Sequence, residues 1–280
     1  MAAKRREGAV AFVLGGGGIL GASEVGMLRA LLRQGITPDL VVGTSVGAVN
    51  GAFLASDPTL VAVDRLAEMW VHAAESGVFT DSVLARAQRV VRLAGHLHSG
   101  DALEDLLSDE LGARQIEELP VRFQCVAAQI ETATARWFDR GGVVDAVMAS
   151  CAVPGLLPAR EIGGAHYVDG GLVHSIPVSR ALDLGATTLY VLQVGRIEHA
   201  LRAPRWPWEV GLVAFEIARR YRFNEELARI PDGIEVHVLP SGAERSPSLS
   251  LSYRGARLVA DRIEMAHEAT ERYLSKAGVG

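Results

Sequence analysis

Apolar positions along the chain fall into two periods. "AVAFVL" (Ala9–Leu14) is an unbroken apolar run ending in four glycines, the pattern of a strand buried on both faces. "ASEVGMLRALLRQG" follows, with Val25, Leu28, Leu31 and Leu32 at helical spacing and Gly35 placed to end the helix. "LVVG" predicts a second strand, and "SVGAVNGAFLAS" a helix of small residues that can lie close to a sheet. Strand, helix, strand, helix is the signature of a parallel sheet with covering helices. Residues 59–112 predict helix throughout. "VRFQCVAAQI" and "ARWFD" then read as strands, "GGVVDAVMASCAVPGLLPA" as a short helix and a proline-punctuated loop, and "HYVDGGL" as a strand ending in a glycine turn. "TTLYVLQVG" and "IEVHVLPS" are two more strands, and "ARLVADRIEMAHEATERYL" is a closing helix.

The pattern therefore predicts an α/β fold, a mainly parallel sheet with helices on both faces. Without repeats or a low-complexity linker, 1–280 reads as one domain. It carries a helical insertion over 59–115 that is expected to cover the site, and a closing region over 196–280. With 280 residues, 49% of them hydrophobic, the chain can bury a large core. A net charge of -5 gives no reason to expect nucleic acid. Two cysteines, Cys125 and Cys151, are too few for a disulfide framework or a zinc site, and a reducing compartment is expected. The basic start "MAAKRREGAV" lacks the apolar segment and cleavage site of a signal peptide. The longest uncharged run, 40–56, contains Thr44, Ser45, Asn50 and three glycines, and reads as buried protein rather than a membrane span.

Chemistry enters at "GTSVG". Gly43, Ser45 and Gly47 fit G-x-S-x-G between a strand and a helix. There a serine on a sharp turn exposes its hydroxyl at a helix N-terminus, where amides and the dipole favour developing negative charge. The alternative is a structural turn. Upstream, Gly15 to Gly18 leave several N–H groups free of side chains at a helix start, which can hold an oxyanion. Gly16, Gly18 and Gly21 also match the dinucleotide fingerprint G-x-G-x-x-G. That reading needs an acid at the end of the second strand, whereas Asp39 precedes it. Asp169 in "YVDGGLVHSIPV" stands at a strand end before Gly170 and Gly171, as a base or as a turn residue.

The glycine loop, "GTSVGAVNGAF", "ASCAVPGLLPA" and "YVDGG" stand in the order and spacing of the patatin-like phospholipase family, which the chain resembles over residues 9–194. The resemblance implies a serine–aspartate dyad without histidine: Ser45 as nucleophile and Asp169 as its base. It implies that Gly16, Gly17 and Gly18 form the oxyanion hole, and that no metal or cofactor takes part. The substrate would be an ester of a phospholipid or a related lipid, split through an acyl-serine intermediate. The rivals are a dinucleotide-binding protein and a non-catalytic lipid-binding scaffold.

Two positions depart from the family. Leu20 stands where the loop usually carries Arg or Lys, and His174 stands where asparagine is common. His174 reads either as an accessory to proton transfer or as a structural histidine. The helix around Arg86, Arg89 and Arg92 reads as a membrane-facing basic helix or as a solvated one. Trp206 and Trp208, among Arg202 and Arg205, suit a membrane interface, an oligomer contact or a packed loop. A cytoplasmic protein in peripheral contact with membrane is the expectation.

Overall fold

Side chains of the strands alternate between two separate apolar clusters, which makes the sheet the middle layer of a sandwich. The computed structural model describes residues 8–76, 100–194, 201, 203–204, 207–242 and 256–279. On β1 (Ala9–Leu14), Val10, Phe12 and Leu14 enter one cluster while Ala11 and Val13 enter the other. β7 (Ala186–Leu192) repeats this, with Tyr190 and Leu192 on the first side and Leu189 and Val191 on the second. A strand buried on both faces needs apolar residues at every position, which is why these segments appear as unbroken runs.

The larger cluster lies under α1 (Ala22–Arg33), α2 (Val46–Ser56), α3 (Leu60–Ser76), α4 (Asp101–Leu111), α5 (Val143–Cys151) and α8 (Ala256–Ala277). The smaller lies under α6 (Val178–Asp183) and α7 (Pro207–Ala228), which adds Phe223 and Leu227. The expectation of helices on both faces holds. α1 and α8 approach so closely that a Cβ at Gly26 would lie 2.7 Å from the His267 nitrogen. Within 59–112, α3 and α4 belong to the main core: Leu66, Trp70, Leu103 and Leu107 are buried in it. The basic helix expected around Arg86, Arg89 and Arg92 lies outside the described residues, as does Trp206.

Five strands run parallel in the order β3 (Arg122–Gln129), β2 (Leu40–Thr44), β1, β7, β8 (Glu235–Leu239). Three more extend the sheet antiparallel: β4 (Thr134–Phe138), β5 (Arg160–Ile162) and β6 (Ala165–Asp169). β5 was not expected, because "REI" is too short and polar to carry a strand signal. The short α6 and the long α7 were not expected either.

One register places the site. β2 pairs with Arg122 to Val126 of β3, and β4 pairs with Cys125 to Gln129. These spans overlap, so β2 and β4 occupy opposite edges of β3. β6 pairs with Ala127 to Gln129, overlapping β4, so it shares the β2 edge. β2 and β6 thus meet end to end. Thr44 is opposite Val126 and Asp169 is opposite Ala127, adjacent positions on one strand.

Candidate active site

β2 ends at Thr44 and α2 begins at Val46, so Ser45 alone makes the turn. Its backbone sits at φ 54 and ψ −125. Among the described residues only Ser45 and Ala133 are non-glycine residues with positive φ. A side chain held there costs about 1–3 kcal/mol and persists only where the surroundings enforce it. The enforcement is visible. The Ser45 N–H donates to Ser150 Oγ at 2.9 Å, and Ser150 Oγ–H donates to the Val126 carbonyl at 2.7 Å. The Thr44 hydroxyl donates to the His174 carbonyl at 2.7 Å. Ser150→Ala leaves a buried N–H and a buried carbonyl unpaired. It should cost about 1–3 kcal/mol in thermal or chemical denaturation, and an unchanged midpoint would contradict this account of the turn.

The glycines around Ser45 are sites of backbone contact. A Cβ on Gly43 would lie 2.7 Å from the Gly47 carbonyl carbon, and one on Gly47 would lie 2.6 Å from that of Leu14. One on Gly16 would lie 3.3 Å from the Ser45 Cβ, so the glycine loop runs directly past the serine.

Asp169 ends β6 and is 1% exposed. Its N–H donates to the Ala152 carbonyl at 2.9 Å, and its Oδ1 accepts the Gly171 N–H at 2.7 Å. Oδ2 is buried and accepts no full hydrogen bond. The Ser45 hydroxyl lies beside the carboxyl, near enough to favour its charged form. Burial dominates nevertheless and pushes the Asp169 pKa from 3.8 up to about 6. The Ser45 hydroxyl, the Gly171 N–H and the Arg219 charge pull in the other direction. An aspartate there is a far better base near neutrality than a solvated one. Cys151 is also buried beside Ser45 and Asp169. Desolvation, with the Asp169 charge, holds its thiol well above the usual range and so protonated.

The glycine loop is only partly free to act. The Gly15 N–H donates to the Leu192 carbonyl at 3.0 Å and the Gly16 N–H to the Ser175 carbonyl at 2.8 Å. Among the described residues the N–H groups of Gly17 and Gly18 have no acceptor. Of the three glycines expected to form an oxyanion hole, Gly16 therefore anchors the loop, while Gly17 and Gly18 keep donors to offer. Gly17 must lack a side chain, since its Cβ would overlap Val194, and Gly18 takes φ +58.

Leu20, standing where a basic residue was expected, is buried with Ile19 and Val194. A cation nevertheless reaches the loop from far along the chain. Arg219 of α7, 5% exposed, donates from Nη1 to the Gly16 carbonyl at 2.8 Å. Behind the loop, Asn50 donates to the Gly21 carbonyl at 3.0 Å and to Glu24 at 2.7 Å, and accepts the Trp70 indole N–H at 2.9 Å. Glu24 is fully buried, and desolvation raises its pKa well above the ordinary carboxylate value, against the hydrogen bonds of Asn50 and the Gly15 backbone, which lower it.

Among the described residues no hydrogen bond joins the His174 ring to Ser45 or Asp169. Its Nδ1 lies 3.0 Å from Glu226 and its ring packs against Trp137, with 5.1 Å between centroids. Its carbonyl, through Thr44, is what it brings to the site. Asp39 likewise cannot serve a nucleotide at the glycine loop. It exchanges hydrogen bonds with Val10, its Oδ2 accepting the Val10 N–H at 2.8 Å, at the opposite end of β1.

Sequence reasoning missed Ser150, the Glu24–Asn50 pair and Arg219. The first two are single polar residues on apolar helices and carried no signal. For α7 there was one: Pro207 opens the segment, and Glu216, Arg219 and Arg220 have the i, i+3, i+4 spacing of helical ion pairs.

Among the described residues no helix is long and apolar enough to cross a membrane. Likewise no group of three or more His, Cys, Asp and Glu there could hold a metal.

The architecture is a largely parallel sheet between helices. A serine stands on a strained strand-to-helix turn, a buried aspartate beside it and a glycine loop across from it. The chain belongs to the patatin-like phospholipase family, whose profile matches residues 12–182. It is 31% identical over 192 residues to the patatin-like phospholipase domain-containing protein ZK370.4 of Caenorhabditis elegans, covering 68% of this chain and 14% of that protein. It is 30% identical over 197 residues to lysophospholipase nte1 of Aspergillus terreus, covering 68% of this chain and 12% of that one. The chain thus spans only a small part of these much longer relatives. Among solved structures, VipD from Legionella pneumophila matches 97% of this chain and 67% of its own, at 14% identity and a TM-score of 0.48.

Proposed function

We propose that this protein is a lipid acyl hydrolase that cleaves carboxylic esters through Ser45 and Asp169. The observation that carries this reading is the end-to-end meeting of β2 and β6 on one edge of β3, with Ser45 at φ 54 beside a buried carboxyl. Asp169 Oδ2 takes the hydroxyl proton as Ser45 Oγ attacks the ester carbonyl carbon. The N–H groups of Gly17 and Gly18, with the N-terminal end of α2, stabilise the tetrahedral oxyanion. Collapse expels the alcohol, which takes the proton from Asp169, and leaves an acyl group on Ser45. Asp169 then removes a proton from water as it attacks the acyl carbon, and collapse of this second tetrahedral intermediate releases the fatty acid while Ser45 Oγ takes that proton back from Asp169.

The relatives named as lysophospholipases favour lysophospholipids and phospholipids as the first substrates to try. Peripheral contact with a lipid surface belongs to the same reading. Val210, Ile217 and Tyr221 stand exposed on one face of α7, the helix that reaches the glycine loop. All of 1–280 is read as one such domain.

The test is labelling of the purified chain with a fluorophosphonate. It is paired with a panel of p-nitrophenyl esters, lysophospholipids, phospholipids and triglycerides assayed with chelator present. Labelling at Ser45 and ester turnover are expected. An unlabelled wild-type chain would falsify the reading. Because the base is a carboxyl with a pKa of about 6, kcat/KM should rise tenfold per pH unit below that value and level off above it. A profile that keeps climbing through pH 8 would assign the base to another group.

A further inference from the structure

We propose that Arg219 is a positioning residue that aims the Gly17 N–H at the oxyanion. The inference rests on the acyl-hydrolase reading above. The Gly16 carbonyl and the Gly17 N–H belong to the same peptide unit. That unit is planar and trans, so the two bonds point in opposite directions. Fixing the carbonyl fixes the N–H. Arg219 Nη1 holds that carbonyl at 2.8 Å.

The guanidinium is itself held. Its Nε and Nη2 donate to Glu216 at 2.9 and 3.1 Å, so one flat fork is clamped by a carboxylate on the same helix, and the remaining Nη1 reaches the loop. Glu216 also accepts Arg220 Nε at 2.8 Å, and both Glu216 and Arg219 are buried. A glycine loop is intrinsically free to rotate its peptide planes. A Cβ on Gly17 would overlap Val194 and one on Gly16 would crowd Ser45, and as glycines the two have no side chain to restrain that rotation. The restraint comes instead from α7. Leu20 does not supply it, being packed with Ile19 and Val194. A cation on the carbonyl also polarises the shared amide and strengthens its N–H as a donor. Residue 219 lies beyond the stretch, 12–182, that matches the family, so the loop of the family domain is completed by a later part of the chain.

The groups facing Asp169 are the Arg219 charge, the Cys151 thiol and the Ser45 hydroxyl. Orientation and charge can therefore be separated by two substitutions. Arg219→Lys keeps the charge but replaces the flat fork, whose separate nitrogens bind Glu216 and the loop, with one ammonium nitrogen. Arg219→Gln, combined with Glu216→Gln so that the carboxylate clamping the guanidinium is neutralised along with it, loses both. For each, ester kcat and KM, the rate of fluorophosphonate labelling, the pH–rate midpoint and the melting temperature are measured.

Both variants should lose about 10- to 100-fold in kcat and in labelling rate, with KM within about twofold, as expected for misaiming one oxyanion donor. The pH midpoint should stay in place in Arg219→Lys and rise in the double variant. In 15N-glycine-labelled protein, the Gly17 amide resonance should move in both.

Wild-type kcat in either folded variant overturns the inference. A rate loss that merely follows the unfolded fraction, with the Gly17 resonance unmoved, also overturns it. If one variant does not fold, the other decides. Absence of labelling in the wild-type chain overturns the acyl-hydrolase reading and the inference with it. Labelling of the wild type at rates the variants share removes the inference alone.

Discussion

Asp169→Asn should inactivate the protein and stabilise it in the same stroke. The carboxyl is 1% exposed, and its pKa is raised from 3.8 to about 6, chiefly by desolvation. A carboxyl whose pKa is higher folded than unfolded binds more protons in the native state, so its ionisation opposes folding. The penalty is absent below pH 3.8, grows up to about pH 6 and is complete above it. At full size it is roughly 3 kcal/mol. Asparagine keeps an acceptor for the Gly171 N–H and carries no charge to bury. At pH 8 the variant should melt about 6–10 °C above the wild type, a gap that closes toward pH 4. Its ester turnover should fall by about 10³-fold or more, since no base remains beside Ser45. Ser45→Ala should lose at least as much activity without the pH-dependent gain, because it leaves the buried charge in place. Paired melting curves and initial rates at pH 4, 6 and 8 decide the matter. Equal melting of Asp169→Asn and wild type at pH 8 would mean that the carboxyl is solvated or paired in the working protein.

The second large effect is on the fold. A Cβ at Gly47 would lie 2.6 Å from the Leu14 carbonyl carbon and 2.9 Å from the Gly15 oxygen. Both are backbone atoms in the central strand and its loop, with no rotamer to yield. Gly47→Ala should gain about 1 kcal/mol of helix propensity. It should lose about 3 kcal/mol or more, as α2 is forced off the sheet. The net cost is about 2 kcal/mol at least, and Ser45 and the oxyanion loop move apart in the process. Gly35→Ala is the comparison. Gly35 has φ +72 and open space around it, so only backbone strain of about 1 kcal/mol is expected, with activity intact. If the two variants melted alike, the close approach of α2 to β1 would not be a constraint on the fold.

Much of this was legible in the order of residues, for identifiable reasons. β1 and β2 are largely apolar because both faces are covered, with Gly15 just after β1 and Gly43 near the end of β2, where chain passes close to chain. Ser45 stood out because a strand, a helix and two glycines surround it, and Asp169 because a strand ends on it. What could not be read is what tertiary pairing decides. The antiparallel extension depends on β3 being shared by three partners. β5 has three residues and two charges. Arg219 looked like one of many arginines, since nothing local says that a helix beginning at Pro207 returns to Gly16. The pattern showed which segments carry chemistry, and only the three-dimensional arrangement showed which distant groups hold them.

The sharing of one β3 edge by β2 and β6 works as a ruler. Adjacent residues on a strand are about 3.3 Å apart, so Val126 and Ala127 set the spacing of Ser45 and Asp169. The chain that connects those two residues around the outside does not. Loops and helices between them can lengthen, shorten or change character without disturbing the pair, provided the two strands still end on neighbouring rungs. Such a scaffold can acquire new substrates by remodelling its periphery while its chemistry stays in place. A single residue inserted between Val126 and Ala127 would do the reverse, sparing the periphery and parting the pair.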